Sequence, residues 1–282
     1  MREVPAWSRD NHCFSCHNNG DAARALFLAR RLSIPVPDAA LADTAAWLRN
    51  PKEWDDLKGA GFSDKRLGRI SFANSLADAL AAGVIVDVQP LRDAVEPLLA
   101  SQDRSGAWTV DAGNPLGLPA TYGPVLATYM ARRAMEQAGD PRTRDAMERA
   151  TAYLGGVTPK SVMDVSAIIM AFARSSDRAQ IARLDQALEL ILNAQSVTDG
   201  GWGPFPKLPT EIFDSALALL ALAEVRERPG ISERIRRGRD FLIKNQFSDG
   251  SWTETTRPSG GRSYAEHIST CGWATLALLK TR

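Results

Sequence analysis

Apolar positions fall into runs of a dozen or more residues at helical spacing, and the runs alternate between two kinds. One kind lies at about residues 89–101, 142–154, 178–194 and 231–245 and interleaves its stripe with Arg, Asp and Glu, the pattern of a helix with one face in water. The other lies at about 120–138, 162–174, 211–227 and 266–281 and is rich in Ala, Leu and Ile on most sides, as in a helix contacted nearly all round. Upstream, residues 21–32 predict a short helix that Asp21 can cap and that stops before Pro35. Residues 38–57 predict a second, kinked or split by Pro51. Residues 65–82 predict a third, with a broad stripe of Ile70, Phe72, Ala73, Leu76, Ala79 and Leu80.

Between the two kinds of run a short polar phrase recurs. Residues 102–108 read QDRSGAW, 195–202 read QSVTDGGW and 246–252 read QFSDGSW. Trp202 and Trp252 are 50 residues apart, as are Asp164 and Asp214, which each open a run of the apolar kind. Trp108 to Trp202 is 94 residues, close to two such periods; the missing copy falls in TAYLGGVTPKSVMD, where the helical pattern persists and the phrase is lost. A period near 50 with two helices per unit predicts an array whose neighbours bury each other's faces. The phrase suits a helix end: the Gln amide bonds exposed backbone groups, Gly permits a tight turn, and Trp packs onto the neighbouring repeat.

These three turns (Gln102/Gly106/Trp108, Gln195/Gly200/Trp202 with one insertion, Gln246/Gly250/Trp252) resemble the prenyltransferase/squalene-oxidase repeat. That repeat is shared by terpenoid cyclases of the squalene–hopene type and protein prenyltransferase β-subunits, and the similarity covers about residues 40–282. The resemblance implies an all-α, single-domain α/α toroid over residues 1–282, with residues 1–20 packed on its mouth. About six inner helices, counting 21–32 as the first, would surround a cavity, wrapped by five outer ones. In a closed ring the first and last inner helices are parallel neighbours, which would bring HCFSCH (12–17) beside HISTC (267–271). Class II cyclases protonate an alkene with the middle Asp of a D-x-D-D run. No such run occurs here, the nearest pair being Asp55-Asp56, so squalene cyclisation is not expected. Prenyltransferases hold zinc partly with Asp-x-Cys; the matching residues are Ser269-Thr270-Cys271, so only Cys271 carries over.

Composition narrows the choices. The 282 residues are 44% hydrophobic with a formal net charge of +1, which gives no reason to expect nucleic acid or an anionic membrane surface. No apolar run approaches the ~20 residues of a membrane span. The opening MREVPAWSRDNH lacks a signal-peptide pattern, so the chain as written reads as cytoplasmic, or as periplasmic or otherwise exported if it carries haem. All three cysteines and all three histidines lie in the two clusters just named. Cys13, Cys16 and His17 form C-x-x-C-H, the pattern of covalent c-type haem attachment with His17 as iron ligand. Zinc on Cys13 and Cys16, completed by Cys271 and His17 or His267, is a second reading, and free thiols are a third. Phe72, Tyr122, Tyr129, Phe172, Phe213 and Trp273 are candidates for the cavity wall, with Asp164 and Asp214 as helix caps or a carboxylate pair. An aromatic-lined hole suits a hydrophobic, isoprenoid-type small molecule. Six helix N-termini at one mouth would favour an anion there, near Lys65, Arg66, Lys160, Lys207, Arg257 and Arg262. A redox protein with haem on the toroid and a non-catalytic repeat scaffold are the rival functions.

Overall fold

The computed structural model describes residues 3–11, 14–55, 64–110, 116–257 and 260–282, with the backbone alone at residues 3, 5 and 8. The described residues form helices and no strand. In chain order these are α1 (Glu3–Asn11), a π-helical segment (Cys16–Ala22) running into α2 (Ala23–Arg31), α3 (Ala42–Leu48), α4 (Lys65–Ala81), α5 (Gln89–Ala100) and α6 (Pro124–Ala138). There follow α7 (Arg144–Gly156), α8 (Val162–Phe172), α9 (Arg178–Ala194), α10 (Ile212–Ala223), α11 (Ile231–Lys244) and α12 (Tyr264–Lys280).

Local chemistry accounts for most of the boundaries. Ser161 and Ser263 cap α8 and α12 with their hydroxyls, and the Asp64 carboxylate accepts from the first amides of α4. The expected helix over 38–57 is reduced to α3 between short 3₁₀ turns. Pro51 has no N–H to offer, and Asn50 before it leaves the helical region at φ −118°, ψ 68°. Asp21 is not a cap. Ser15 has that role, extended at φ −124°, ψ 148°, with its Oγ accepting from Asn18 N at 3.0 Å. The helix therefore starts six residues earlier than the apolar pattern suggests, and Asp21 lies inside it.

Among the described residues six helices make the inner layer: α2 with its π segment, α4, α6, α8, α10 and α12, each packed on the next. The ring closes where α12 packs against α2 and the π segment. Gly272 makes that seam possible, since a Cβ there would stand 2.9 Å from Ala22 Cα. The outer layer is α3, α5, α7, α9 and α11. α1 stands apart from it, against α3 and the π segment, with Trp7 stacked on Tyr264.

Candidate functional site

The three Gln/Gly/Trp turns do the same structural work. Each indole N–H donates to the preceding outer helix: Trp108 to Leu98 O at 2.9 Å, Trp202 to Ile191 O and Trp252 to Leu242 O, both at 2.8 Å. Each tryptophan backbone N–H donates to the next inner helix, at Thr128 Oγ1 (3.1 Å), Ser215 Oγ (2.8 Å) and Cys271 Sγ (3.4 Å). Cys271 thus fills the place that a hydroxyl fills in the other two repeats, aimed outward at the turn. Its Sγ lies 3.9 Å from His267 Nε2, and His267 Nδ1 lies 3.5 Å from Glu254.

The seam is built around Asp21, which is 4% exposed. Its carboxylate accepts from the Tyr122 hydroxyl and from Ser269 Oγ at 2.8 Å, with Ser71 Oγ at 3.5 Å. It therefore ties α2 to α4, to the entry of α6 and to α12. Burial pushes its pKa up to about 6, against the pull of these hydroxyls and of Arg24. Close by, Glu266 Oε2 accepts from Ala120 N at 3.0 Å, and burial raises it to about 7. Asp214 is fully buried, with Oδ2 2.7 Å from Arg257 Nη2; Arg257 Nε reaches Glu211 at 3.2 Å. Burial and the neighbouring Glu211 raise the Asp214 carboxyl in spite of Arg257. Asp164 accepts from Lys160 N at 2.8 Å while Ser161 caps the helix, so neither aspartate is the cap itself. The N-terminal mouth is consequently a place of buried carboxyls. Of the cations expected to gather there for an anion, Arg257 is spent on Asp214 and Glu211, and Arg66 on Thr109 O at 2.8 Å.

Cys16 and His17 begin the π segment. The Cys16 thiol is buried, and burial first, then Asp21, pushes its pKa up to about 12. His17 sits edge-on to Trp7 and Tyr264, with ring centroids at 5.2 and 5.7 Å. Burial lowers it to about 4, and its Nε2 is buried with no hydrogen-bond partner. Cys13 and His12 lie outside the described residues. Among the described residues no three His, Cys, Asp or Glu side chains come together as a metal-holding group. The clusters' elements do meet, since Tyr264 reaches Asn18 Oδ1 at 3.3 Å, but Cys271 points at Trp252 and His17 at Trp7.

The opposite, C-terminal end of the ring holds a cavity of about 100 Å³ to which all six inner helices contribute. Leu28, Met130, Met170, Leu220, Trp273 and Leu276 supply its apolar wall. The charged part centres on Asp78, whose Oδ2 lies 2.8 Å from Arg24 Nε and whose Oδ1 pairs with Arg133. Arg133 also donates to Asn74 Oδ1 at 2.8 Å, and the Arg24 guanidinium lies 4.9 Å over the Trp273 ring. Burial would raise the Asp78 carboxyl, but the two guanidiniums outweigh it and hold it below the usual range. Counting Arg31, Glu224 and Lys280, four cationic side chains face two carboxylates, so the cavity has surplus positive charge.

Of the aromatic candidates, Tyr129 and Trp273 line this cavity. Tyr122 and Phe213 pack on Trp273 at 5.8 and 6.0 Å, filling the ring above it. Phe72 faces outward, against Trp47 and Trp54, and Phe172 is buried in the core. The Arg24–Asp78–Arg133 centre was not anticipated. Its sequence signal is Arg inside runs that are otherwise rich in Ala and apolar: DAARAL and YMARRAM.

This closed double layer is a terpenoid-cyclase/prenyltransferase-like α/α toroid. No family model matches the chain. Lanosterol synthase ERG7 of Saccharomyces cerevisiae is 28% identical over 237 residues, which is 80% of this chain and 31% of that protein. Lanosterol synthase erg7A of Aspergillus fumigatus is 26% identical over 211 residues, 70% of this chain and 24% of the other. The chain thus spans a third or less of the length of these relatives. Among solved structures, a variant of the type II terpene cyclase MstE from Scytonema, in complex with geranylgeranyl dihydroxybenzoate, superposes with a TM-score of 0.62 at 14% identity, covering 94% of this chain and 87% of that one. A possible member of the GH105 family from Salmonella enterica superposes at 0.59 with 10% identity, covering 92% and 81%. The shared feature is the fold, and a toroid by itself does not select a chemistry. No helix among the described residues is long and apolar enough to cross a membrane.

Proposed function

We propose that the toroid binds a hydrophobic, isoprenoid-type ligand with an acidic head group in the C-terminal axial cavity. One observation carries this reading: apolar side chains and two guanidiniums sharing a single carboxylate line the same cavity, at the axis where all six inner helices meet. A buried Arg24 and a half-buried Arg133 that share one counter-charge favour a second anion, and Arg suits carboxylate or phosphate geometry. An apolar cavity of about 150 Å³ takes benzene, so the space here suits a group of about four or five carbons, the rest of the ligand lying along the open mouth. The terpene cyclase MstE, whose fold this chain shares, binds a geranylgeranyl chain carried on a benzoate, a ligand of the same amphiphilic class. Binding alone is proposed. The buried Asp21 carboxyl already meets three hydroxyls, and it gives no support to an acid-catalysed cyclisation.

Calorimetric titration with a ten-carbon prenyl carboxylate and with the matching alcohol tests the reading. The acid binds the native chain at least tenfold more tightly than the alcohol, Arg133→Ala removes that preference, and Leu220→Trp, which fills the cavity, removes binding of both. Absence of binding, or binding indifferent to Leu220→Trp, rejects it.

A haem or metal at the N-terminal segment is the second reading, favoured by the buried, unpartnered Nε2 of the neutral His17. The donor set fits in part. The imidazole is ligand-competent, whereas the Cys16 thiol is held protonated and Ser15 is extended rather than on one helical turn with Cys16. Iron with a Soret band, or stoichiometric zinc, in protein purified from its own host would support this reading; neither element at stoichiometric level would reject it.

A further inference from the structure

Hydrogen-bond acceptors around the C-terminal cavity are taken. The four oxygens of its two carboxylates each have a cation: Asp78 pairs with Arg24 and Arg133, and Glu224 with Lys280 Nζ at 3.2 Å and Arg174 Nη2 at 3.0 Å. Asn74, beside Arg133, is engaged at both ends. Its amide donates to Ile70 O at 2.9 Å and Met130 O at 2.8 Å, and its Oδ1 accepts from Arg133 Nη1. Carbonyls near the ends of the inner helices have donors as well, Ala171 O from Arg132 and Lys280 O from Arg226, both at 2.9 Å.

Donors are left over. Arg24 bonds through Nε to Asp78 and through Nη1 to the Met130 sulfur, and Arg133 bonds through Nη1 and Nη2. Nη2 of Arg24 and Nε of Arg133 therefore make no hydrogen bond among the described residues. Tyr129 supplies a third spare donor. Tyr122, at the other end of the ring, gives its hydroxyl to Asp21, whereas the Tyr129 hydroxyl bonds nothing among the described residues. Its ring packs on the core, but the residue is only half-buried and its open side lines the cavity. Tyr129 and Arg133 are one turn apart on the same face of α6. Arg133, Glu224, Arg24 and Asp78 are the charges that act on the phenol, which sets it among the cavity's charged groups. Burial raises its pKa, so at neutral pH it keeps its proton and can donate.

A single spare donor that water can reach is ordinary. Here three surround one cavity whose carboxylates are all engaged. Such a site suits a head group that brings acceptors only, as an ionised carboxylate does and an alcohol does not. Given a ligand bound as proposed above, we infer that Tyr129 is the specificity-determining residue of this cavity. Its hydroxyl donates to the ligand's carboxylate while the open Nε edge of Arg133 pairs with the same group. The head therefore enters first, and the carbon chain runs along the apolar wall toward the mouth. A hydrogen bond to a charged acceptor is the stronger kind, so the phenol separates acids from alcohols of the same length.

The test uses the full chain, with a ten-carbon prenyl carboxylate and the matching alcohol as probes in calorimetric titration. Tyr129→Phe is expected to weaken the acid about tenfold and the alcohol much less. The ring is kept and the lost hydroxyl bonds no described residue, so the melting temperature should not change. Ultraviolet resonance Raman adds a readout that a mere wall contact would not move. The acid shifts the tyrosine signal toward that of a hydrogen-bond donor in the native chain and leaves it unshifted in Tyr129→Phe. Acid binding that Leu220→Trp abolishes and Tyr129→Phe leaves unchanged overturns the inference while the binding reading stands. Equal losses for acid and alcohol, or no Raman shift on binding, overturn it in the same way. No binding of the acid to the native chain overturns both.

Discussion

The inner and outer layers of this toroid end differently. The inner ring is closed: Asp21 from the start of the chain accepts from Ser269 near its end, and Gly272 lets α12 lie against Ala22. Among the described residues the outer layer runs from α3 to α11, and the turn that follows α11 faces solvent. The difference teaches that closure and coverage have separate causes here. Closure depends on residues far apart in sequence that converge on one buried carboxyl. Coverage is a nearest-neighbour property of the repeat, so each turn is protected only where a next outer helix exists.

The largest effect should come from the carboxyl at the seam. Asp21 has its folded pKa raised to about 6 from 3.8, so the folded chain holds a proton that the unfolded chain releases. Its contribution to stability is fully present below about pH 4 and is lost as pH rises through 6. The two-unit shift corresponds to on the order of 3 kcal/mol. Glu266, raised from 4.5 to about 7, adds a slope of the same sign. His17, lowered to about 4, works the other way, its contribution fading as pH falls from 6.5 toward 4. Because these slopes overlap, the informative quantity is the native stability minus that of Asp21→Asn, from urea unfolding at each pH. That difference should fall between pH 4 and pH 7. A flat difference would mean that the seam does not depend on the protonation of this residue.

Much of the outer layer was legible because its signals are local and repeated. A turn that needs Gln, Gly and Trp at fixed spacing needs them each time, and the glycines of all three turns have φ between 83° and 88°. The alternation of charged and apolar runs separated outer from inner helices, and the count of six inner to five outer pointed to a closed ring. The centre of the ring was less legible. Asp21 reads as a cap when judged by the apolar run that follows it, and its partners Ser71, Tyr122 and Ser269 lie up to 248 residues away. Cys271 reads as a metal ligand from its scarcity, whereas its repeat position equates it with Thr128 and Ser215. Helix N-termini suggested an anion at one mouth, but side-chain charges decide otherwise. Carboxyls occupy that end, and the surplus of arginines lies at the other.

The smallest expected effect is the sharpest test of coverage. Gln195 is 4% exposed and satisfies carbonyls on both its own turn and α11. Gln195→Ala leaves those groups buried without a donor, at a cost of about 1–3 kcal/mol. Gln246 holds the same position in its turn, but it is exposed and donates only within the turn. Water replaces that bond when it is lost, so Gln246→Ala should change stability by less than about 0.5 kcal/mol. Urea unfolding of the two variants with a common denaturant slope gives the comparison directly. Equal losses would mean that the glutamine stabilises its own turn and that the covering helix adds little. A large loss at Gln195 beside a negligible one at Gln246 would locate the stabilising contact in the helix that lies over the turn, a contact that no described helix makes with the third copy.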